Sequence, residues 1–390
     1  AMAFSGIIPT ILLGLVFVAL GFLVWKKKWW AALLPWFLGL GFIVYAFVIL
    51  NNAKEGKQAM ADYSQLIREL NRDDFRSYYL SHPDDEQIQL LSLASQALYT
   101  TALRFPAQKQ RVLPLLREYA DFMADSRRFP TWGRTNKWKE SVFFLAHAGI
   151  IIGHYQNLSK DETHAQRLRQ VGEYLGGAIP VARYKNLISR SSEDMYRPAD
   201  NAAALYAVHL YDLYYATEYS ESAQRNWLNY LESELKYAES HLPCSAFSST
   251  NTCKLDPTAA GLGMMVGYLG ASGATNHRLY REWQHYFKRS NWLPLRLTIS
   301  SKMRGKSPAR FCDQGSAPLS CEDQLIAIGM WLAATYQQNY VFARGLSGRM
   351  IARDQYRFQL GDTRPVRRVA TLMELAIYVM AEMGIKETSK

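Results

Sequence analysis

The sequence has only four cysteines, and none falls in the C-x2-C spacing of a zinc site. HExxH, a P-loop and GxSxG are all missing, which weakens the metalloprotease, nucleotide and α/β-hydrolase readings. Gly261, Gly263 and Gly267 follow no strand and are wrongly spaced for a dinucleotide loop. Lys+Arg number 45 against 34 Asp+Glu, a formal charge of +11, which favours anionic partners in general. A nucleic-acid protein concentrates such charge beside a recognisable module. Here it is scattered, apart from Lys26, Lys27 and Lys28 and a smaller group at Arg364, Arg367 and Arg368. Nucleic acid is therefore not an expected partner, and no metal or cofactor is expected.

What is present begins with two long apolar runs, residues 7–25 and 31–50, separated by KKKWW. Each is about 20 residues, the length of a helix crossing roughly 30 Å of hydrocarbon. A cleavable signal peptide would need a basic stretch before the first run, and none stands there. The expectation is a two-helix transmembrane hairpin over residues 1–52. The positive-inside rule puts Lys26, Lys27 and Lys28 in the cytoplasm, with Trp25, Trp29 and Trp30 at the interface. The lipid bilayer is then a partner, and both termini lie in the periplasm of a bacterial inner membrane. The cysteines fit an oxidising compartment. Cys244 with Cys253 in CSAFSSTNTC, and Cys312 with Cys321 in CDQGSAPLSC, read as local disulfides, other pairings being open in principle. In the chain-entropy model each closure adds roughly 2.5–3 kcal/mol.

Residues 53–80 read as a stalk or first helix and 81–390 as one periplasmic domain. Helical periodicity recurs there with turn signals between segments, as at 86–104, 108–125, 139–156, 202–215 and 371–384. Strand alternation is scarce, and WLPLRLTIS at 292–300 is its best case. The segments differ too much for a short regular repeat. The predicted fold class is all-α, the hairpin followed by an (α/α)6 barrel.

The stretch 190–219, RSSEDMYRPADNAAALYAVHLYDLYYATEY, gathers the densest chemistry. Asp200 stands before a clean apolar run, so it reads either as a helix N-cap or as an ionised carboxylate kept at a helix start for catalysis. Glu193 and Asp194 read as first-turn acids, with Ser191 opening a capping-box variant, or as partners of Asp200 in acid/base work. Tyr196 would position substrate or give a proton, and Arg190 and Arg197 would clamp an anionic group. His147 and His154 lie seven apart in an apolar helix, a spacing unlike the i,i+4 of zinc histidines. Trp132 and Trp138 either offer a stacking surface at a cleft mouth or pack between helices.

AHAGIIIGHYQ at 146–156 and NAAALYAVHLYDLYYATEY at 201–219 resemble helices of the linalool dehydratase/isomerase family, which has an (α/α)6 barrel. The WG at 132–133 and TAAGLGMMVGYL at 258–269 are similar in the same order. The resemblance implies that His147 falls on the family's catalytic histidine, and Asp194 and Tyr196 on residues of its pocket loop. The family's two pocket cysteines fall on Ser191 and Asp200 and its adjacent glutamate on Ser192, so the family's reaction is not simply inherited. Asp84, Asp85 or Tyr79 are candidates for its N-terminal Asp and Tyr.

These readings lead to a membrane-anchored periplasmic enzyme with catalytic residues Asp200, Asp194, Glu193, His147 and Tyr196. Trp132, Trp138, Arg190, Arg197 and Ser191 would bind substrate, and the reaction would be hydrolysis or lysis of a cell-envelope glycan or lipid-linked saccharide. One alternative is a hydro-lyase or isomerase acting on an isoprenoid alcohol, and another is a non-catalytic docking subunit of a membrane complex.

Overall fold

The computed structural model describes residues 8–26, 29–55, 57–81, 84–190, 192–235, 242–290, 297–299, 321–337 and 365–384. Helices α1 (Ile8–Trp25) and α2 (Leu33–Glu55) fold back on each other as a hairpin. Phe17 stacks on Phe42 at 5.8 Å, and Trp36 Nε1 donates to the Val18 carbonyl at 3.2 Å. Leu15, Phe22, Leu34 and Phe37 are among the apolar side chains on the exposed faces.

The transmembrane expectation fails here. Among the described residues, no helix is long and apolar enough to cross a membrane. Helix α1 is described over 18 residues, and the apolar part of α2 stops before Asn51, Asn52, Lys54 and Glu55. The inner-membrane placement, with periplasmic termini and a cytoplasmic Lys26–Lys28 turn, rested on that hairpin and is withdrawn with it.

Beyond α3 (Lys57–Leu70) and α4 (Asp73–Ser81), helices of two kinds alternate along the chain. The first kind is buried all round: α5 (Asp85–Arg104), α7 (Val142–Ser159), α9 (Pro198–Tyr215) and α11 (Ala259–Ala271). A helix with no polar face must be enclosed by others. The second kind buries one stripe. In α6 (Lys109–Ala124) this is Val112, Leu115, Leu116, Tyr119, Ala120 and Met123, and in α8 (Ala165–Val181) it is Leu168, Val171, Leu175 and Ile179. Helices α10 (Tyr219–Glu234) and α12 (His277–Phe287) follow, then α13 (Cys321–Thr335) and α14 (Pro365–Met383).

The enclosed helices form a closed cycle: α5 packs on α7, α7 on α9, α9 on α11, α11 on α13, α13 on α14, and α14 returns to α5. The amphipathic helices lie outside it, α6 against α7, α8 and α10 against α9, and α12 against α11. Glycine lets α7 and α9 approach closely. A Cβ on Gly149 would meet that of Ala207 at 2.8 Å, and one on Gly153 would meet that of Leu210 at the same distance. Fully burying one Leu or Val in such a ring contributes about 1.5–3 kcal/mol.

A small antiparallel sheet interrupts the helices. Strand β1 (Met195–Tyr196) pairs with β2 (Ala246–Ser248), which pairs with β3 (Cys253–Leu255). Cys244 and Cys253 form a disulfide with Cα atoms 5.8 Å apart, strapping β2 to β3. The Cys312–Cys321 pairing lies outside the described residues. Residues 288–290 and 297–299 form a second antiparallel pair, so part of the 292–300 segment is a strand.

Candidate functional site

Polar groups on the enclosed helices meet inside the ring. On α5, Ser92, Ser95, Gln96 and Tyr99 recur at three- and four-residue spacing, which places them on one face. Helix α7 contributes His147 and His154, α9 contributes Asp200 and Tyr206, and α11 contributes Tyr268. The His147 ring is 4.5 Å from that of Phe143 and 6.3 Å from that of Tyr268.

His147 is buried, and its Nδ1 has no hydrogen-bond partner among the described residues. Burial, and secondarily the Arg190 charge, lowers its pKa to about 3, so the ring is neutral at ordinary pH. Burial raises the Tyr268 phenol; the Asp200 carboxylate raises it further, and the Ser92 hydroxyl partly opposes them. Asp200 and Ser92 are thus within electrostatic reach of Tyr268, and Arg190 within reach of His147.

Arg190 closes this group on one side. Its guanidinium lies 4.2 Å from the centre of the Phe143 ring, donates from Nε to Asp85, and is 3.6 Å from Glu193. Burial opposes its charge, but Asp200, Asp85 and Glu193 outweigh that and hold its pKa raised. Three carboxylates already act on this one guanidinium, so it is poorly placed to attract an anionic ligand.

Asp200 is not the N-cap the sequence suggested. Arg197 occupies that position and Pro198 the first turn, the usual site for a proline without an N–H to satisfy. Asp200 is buried in the same first turn, where the helix dipole favours its charge. Glu193 is engaged by Arg197 at 3.1 Å as well as by Arg190. Asp194 takes a left-handed backbone, φ 46°, and its exposed carboxylate accepts from Ser249 Oγ at 2.9 Å.

Tyr196 belongs to a separate small core with Leu235, Cys244 and Phe247. Its ring stacks on Phe247 at 5.3 Å, and its hydroxyl donates to Asn251. Trp132 and Trp138 are buried packing residues, donating to the carbonyls of Met123 at 2.8 Å and Thr131 at 2.9 Å. Ser191 lies outside the described residues. Of the N-terminal candidates, Asp84 caps α5, accepting from Gln87 N at 2.9 Å, and Tyr79 donates to the Leu70 carbonyl. Asp85 is the one that reaches the site.

The structure thus brings His147, Asp200 and Arg190 together, and puts Asp194, Tyr196, Trp132 and Trp138 in other settings. Sequence reasoning missed Tyr268, Ser92, Ser95 and Tyr206. The first lies within the run at 258–269, and the serines belong to a polar stripe on an otherwise apolar helix. A separate surface depression of about 530 Å³ lies between α6 and α8, lined by Asp121, Asp125, His164, Arg167 and others. It contains none of these residues, and its Asp121 is already bonded to His164 at 2.6 Å. Among the described residues no cluster of His, Cys, Asp or Glu has the makings of a metal site. No protein-family model matches the chain, and no curated protein matches it.

Proposed function

We propose that the ring interior is a proton-transfer site for a neutral, hydroxyl-bearing and largely apolar substrate, working as a hydro-lyase or isomerase. The observation that carries this reading is the Nδ1 of His147, a buried nitrogen without a partner among the described residues, in a neutral ring walled by Phe143 and Tyr268. Buried polar atoms in folded proteins are nearly always paired, so an unpaired one beside other polar groups suits a ligand.

In such a reaction a proton is given to the leaving hydroxyl, which departs as water. The adjacent carbon then releases a proton and the double bond forms, so no net proton is consumed. The C–H beside a cationic carbon is very acidic, so a weak base suffices, and the neutral His147 imidazole is one. Asp200 in its acid form gives the proton to the leaving hydroxyl, the carboxylate left behind stabilises the cationic carbon in a low-dielectric interior, and the proton taken up by His147 returns to it. The Arg190 guanidinium, itself bonded to Asp85, lies within electrostatic reach of Asp200. The resemblance to the linalool dehydratase/isomerase helices points the same way, with Ser191, Ser192 and Asp200 in place of that family's thiols and acid.

Glycosidic cleavage is less well supported. It needs a carboxylate pair about 5–9 Å apart across the substrate. Asp194 is given to Ser249 and Glu193 to two arginines, which leaves Asp200 as the buried carboxylate of the set. The test incubates the protein with primary, secondary and tertiary aliphatic and isoprenoid alcohols and reads alkene or isomer by gas chromatography. Turnover should fall at least 100-fold in folded Asp200→Asn, the scale of a lost acid/base group. Unchanged turnover in that variant, or no product from any alcohol, would remove the proposal.

A further inference from the structure

Deeper in the ring, a second histidine makes a complete set of hydrogen bonds. Ser95 Oγ donates to the Ser92 carbonyl at 2.8 Å, a direction fixed because a carbonyl only accepts. Ser95 Oγ is also 3.0 Å from His154 Nδ1, and with the serine hydrogen spent on that carbonyl the nitrogen carries its own. His154 is fully buried, and burial lowers its pKa to about 3, so it is neutral and its Nε2 is bare. Tyr206 Oη lies 2.9 Å from that Nε2 and is therefore the donor. The chain runs in one direction, from the Tyr206 hydroxyl through His154 and Ser95 to the backbone.

Tyr99 stacks on the His154 ring at 4.8 Å and holds it in plane. The Tyr206 ring stacks on Tyr268 at 6.2 Å, so it stands in the same aromatic wall as the candidate site. A tyrosine whose only hydrogen is committed to a histidine has lone pairs alone left to offer.

We propose that Ser95 and His154 are positioning residues that make Tyr206 an obligate hydrogen-bond acceptor, so that the ring interior selects ligands with a donor hydroxyl over ethers of the same shape. The tautomer needs no catalysis, whereas the ligand preference rests on the neutral-alcohol reading above.

The experiment is nitrogen NMR on the full chain labelled with ¹⁵N-histidine. His154 should show a protonated Nδ1 and a bare Nε2, and Ser95→Ala should mix the two tautomers while Ser95→Thr restores one. The probes are 1-octanol and its methyl ether, with the alcohol expected to shift the Nε2 signal at least 10-fold more at equal concentration. A protonated Nε2 in the unmodified protein, a tautomer indifferent to Ser95→Ala, equal responses to both probes, or no response to either would overturn the proposal. Unchanged turnover in Asp200→Asn would remove the reaction while the tautomer result stands by itself, so the two failures are distinguishable.

Discussion

His147 and His154 share one face of α7, are both buried, and are both held neutral, yet the protein treats them differently. His154 has a hydrogen-bond partner on each nitrogen and an aromatic ring stacked on it. His147 keeps a buried nitrogen without one among the described residues and meets its aromatic neighbours edge-on. One ring is finished as structure; the other is left open beside a carboxylate and a guanidinium. A neutral buried histidine is thus no sign of function by itself. What separates the two is the count of satisfied nitrogens.

The largest expected effect falls on both rings and would test their shared neutrality. Each is held neutral down to about pH 3 in the fold, against 6.5 in the unfolded chain. The unfolded chain therefore takes up protons first as pH falls. The contribution is complete above about pH 6.5 and is lost as pH drops toward 3, on the order of several kcal/mol per histidine. Urea titrations at stepped pH should show this loss, and a flat profile would mean that the fold lowers the pKa of neither ring.

Next in size, His154→Leu removes a group that satisfies both Ser95 and Tyr206. It should cost about 3 kcal/mol by chemical unfolding, since two buried hydroxyls lose a partner. A cost below about 1 kcal/mol would mean that the relay contributes no more than ordinary packing.

The smallest stability effect belongs to His147→Phe, which keeps an aromatic ring against Phe143 and Tyr268 and abandons no hydrogen bond at Nδ1. Stability should change by less than about 1 kcal/mol, as for a near-isosteric core exchange, while alcohol turnover disappears. If that variant is destabilised as strongly as His154→Leu, the contrast between the two rings is false.

Much of this arrangement was legible before any coordinates, and the reasons differ by element. The helices α7 and α9 could be read because an enclosed helix is apolar all round and long. Asp200 could be placed at a helix start, but three positions too early in register, because Pro198 is the stronger marker of a first turn. The chemistry assigned to Asp194 and Tyr196 depended on a loop being free. Its β1 strand is two residues long and pairs with residues about fifty positions away, too short for any alternation to betray it. The apolar runs near the start met a hydropathy rule, yet among the described residues no helix is long and apolar enough to cross a membrane. Ser95 and Tyr206 carry no local signal, because their meaning lies in the histidine between them.

The return of α14 onto α5 has a consequence for how the molecule comes into being. The Arg104 side chain donates to the Glu382 backbone carbonyl, 278 residues further along. Contacts so distant in sequence must bear the entropy of closing a long loop before they reward it, and they slow folding. During synthesis, α5 emerges early, and its Ser92, Ser95 and Gln96 face water until the last helix of the ring arrives. A nascent chain would thus hold every residue of the candidate site long before it held the site, and deleting α14 should leave helices without a sealed interior.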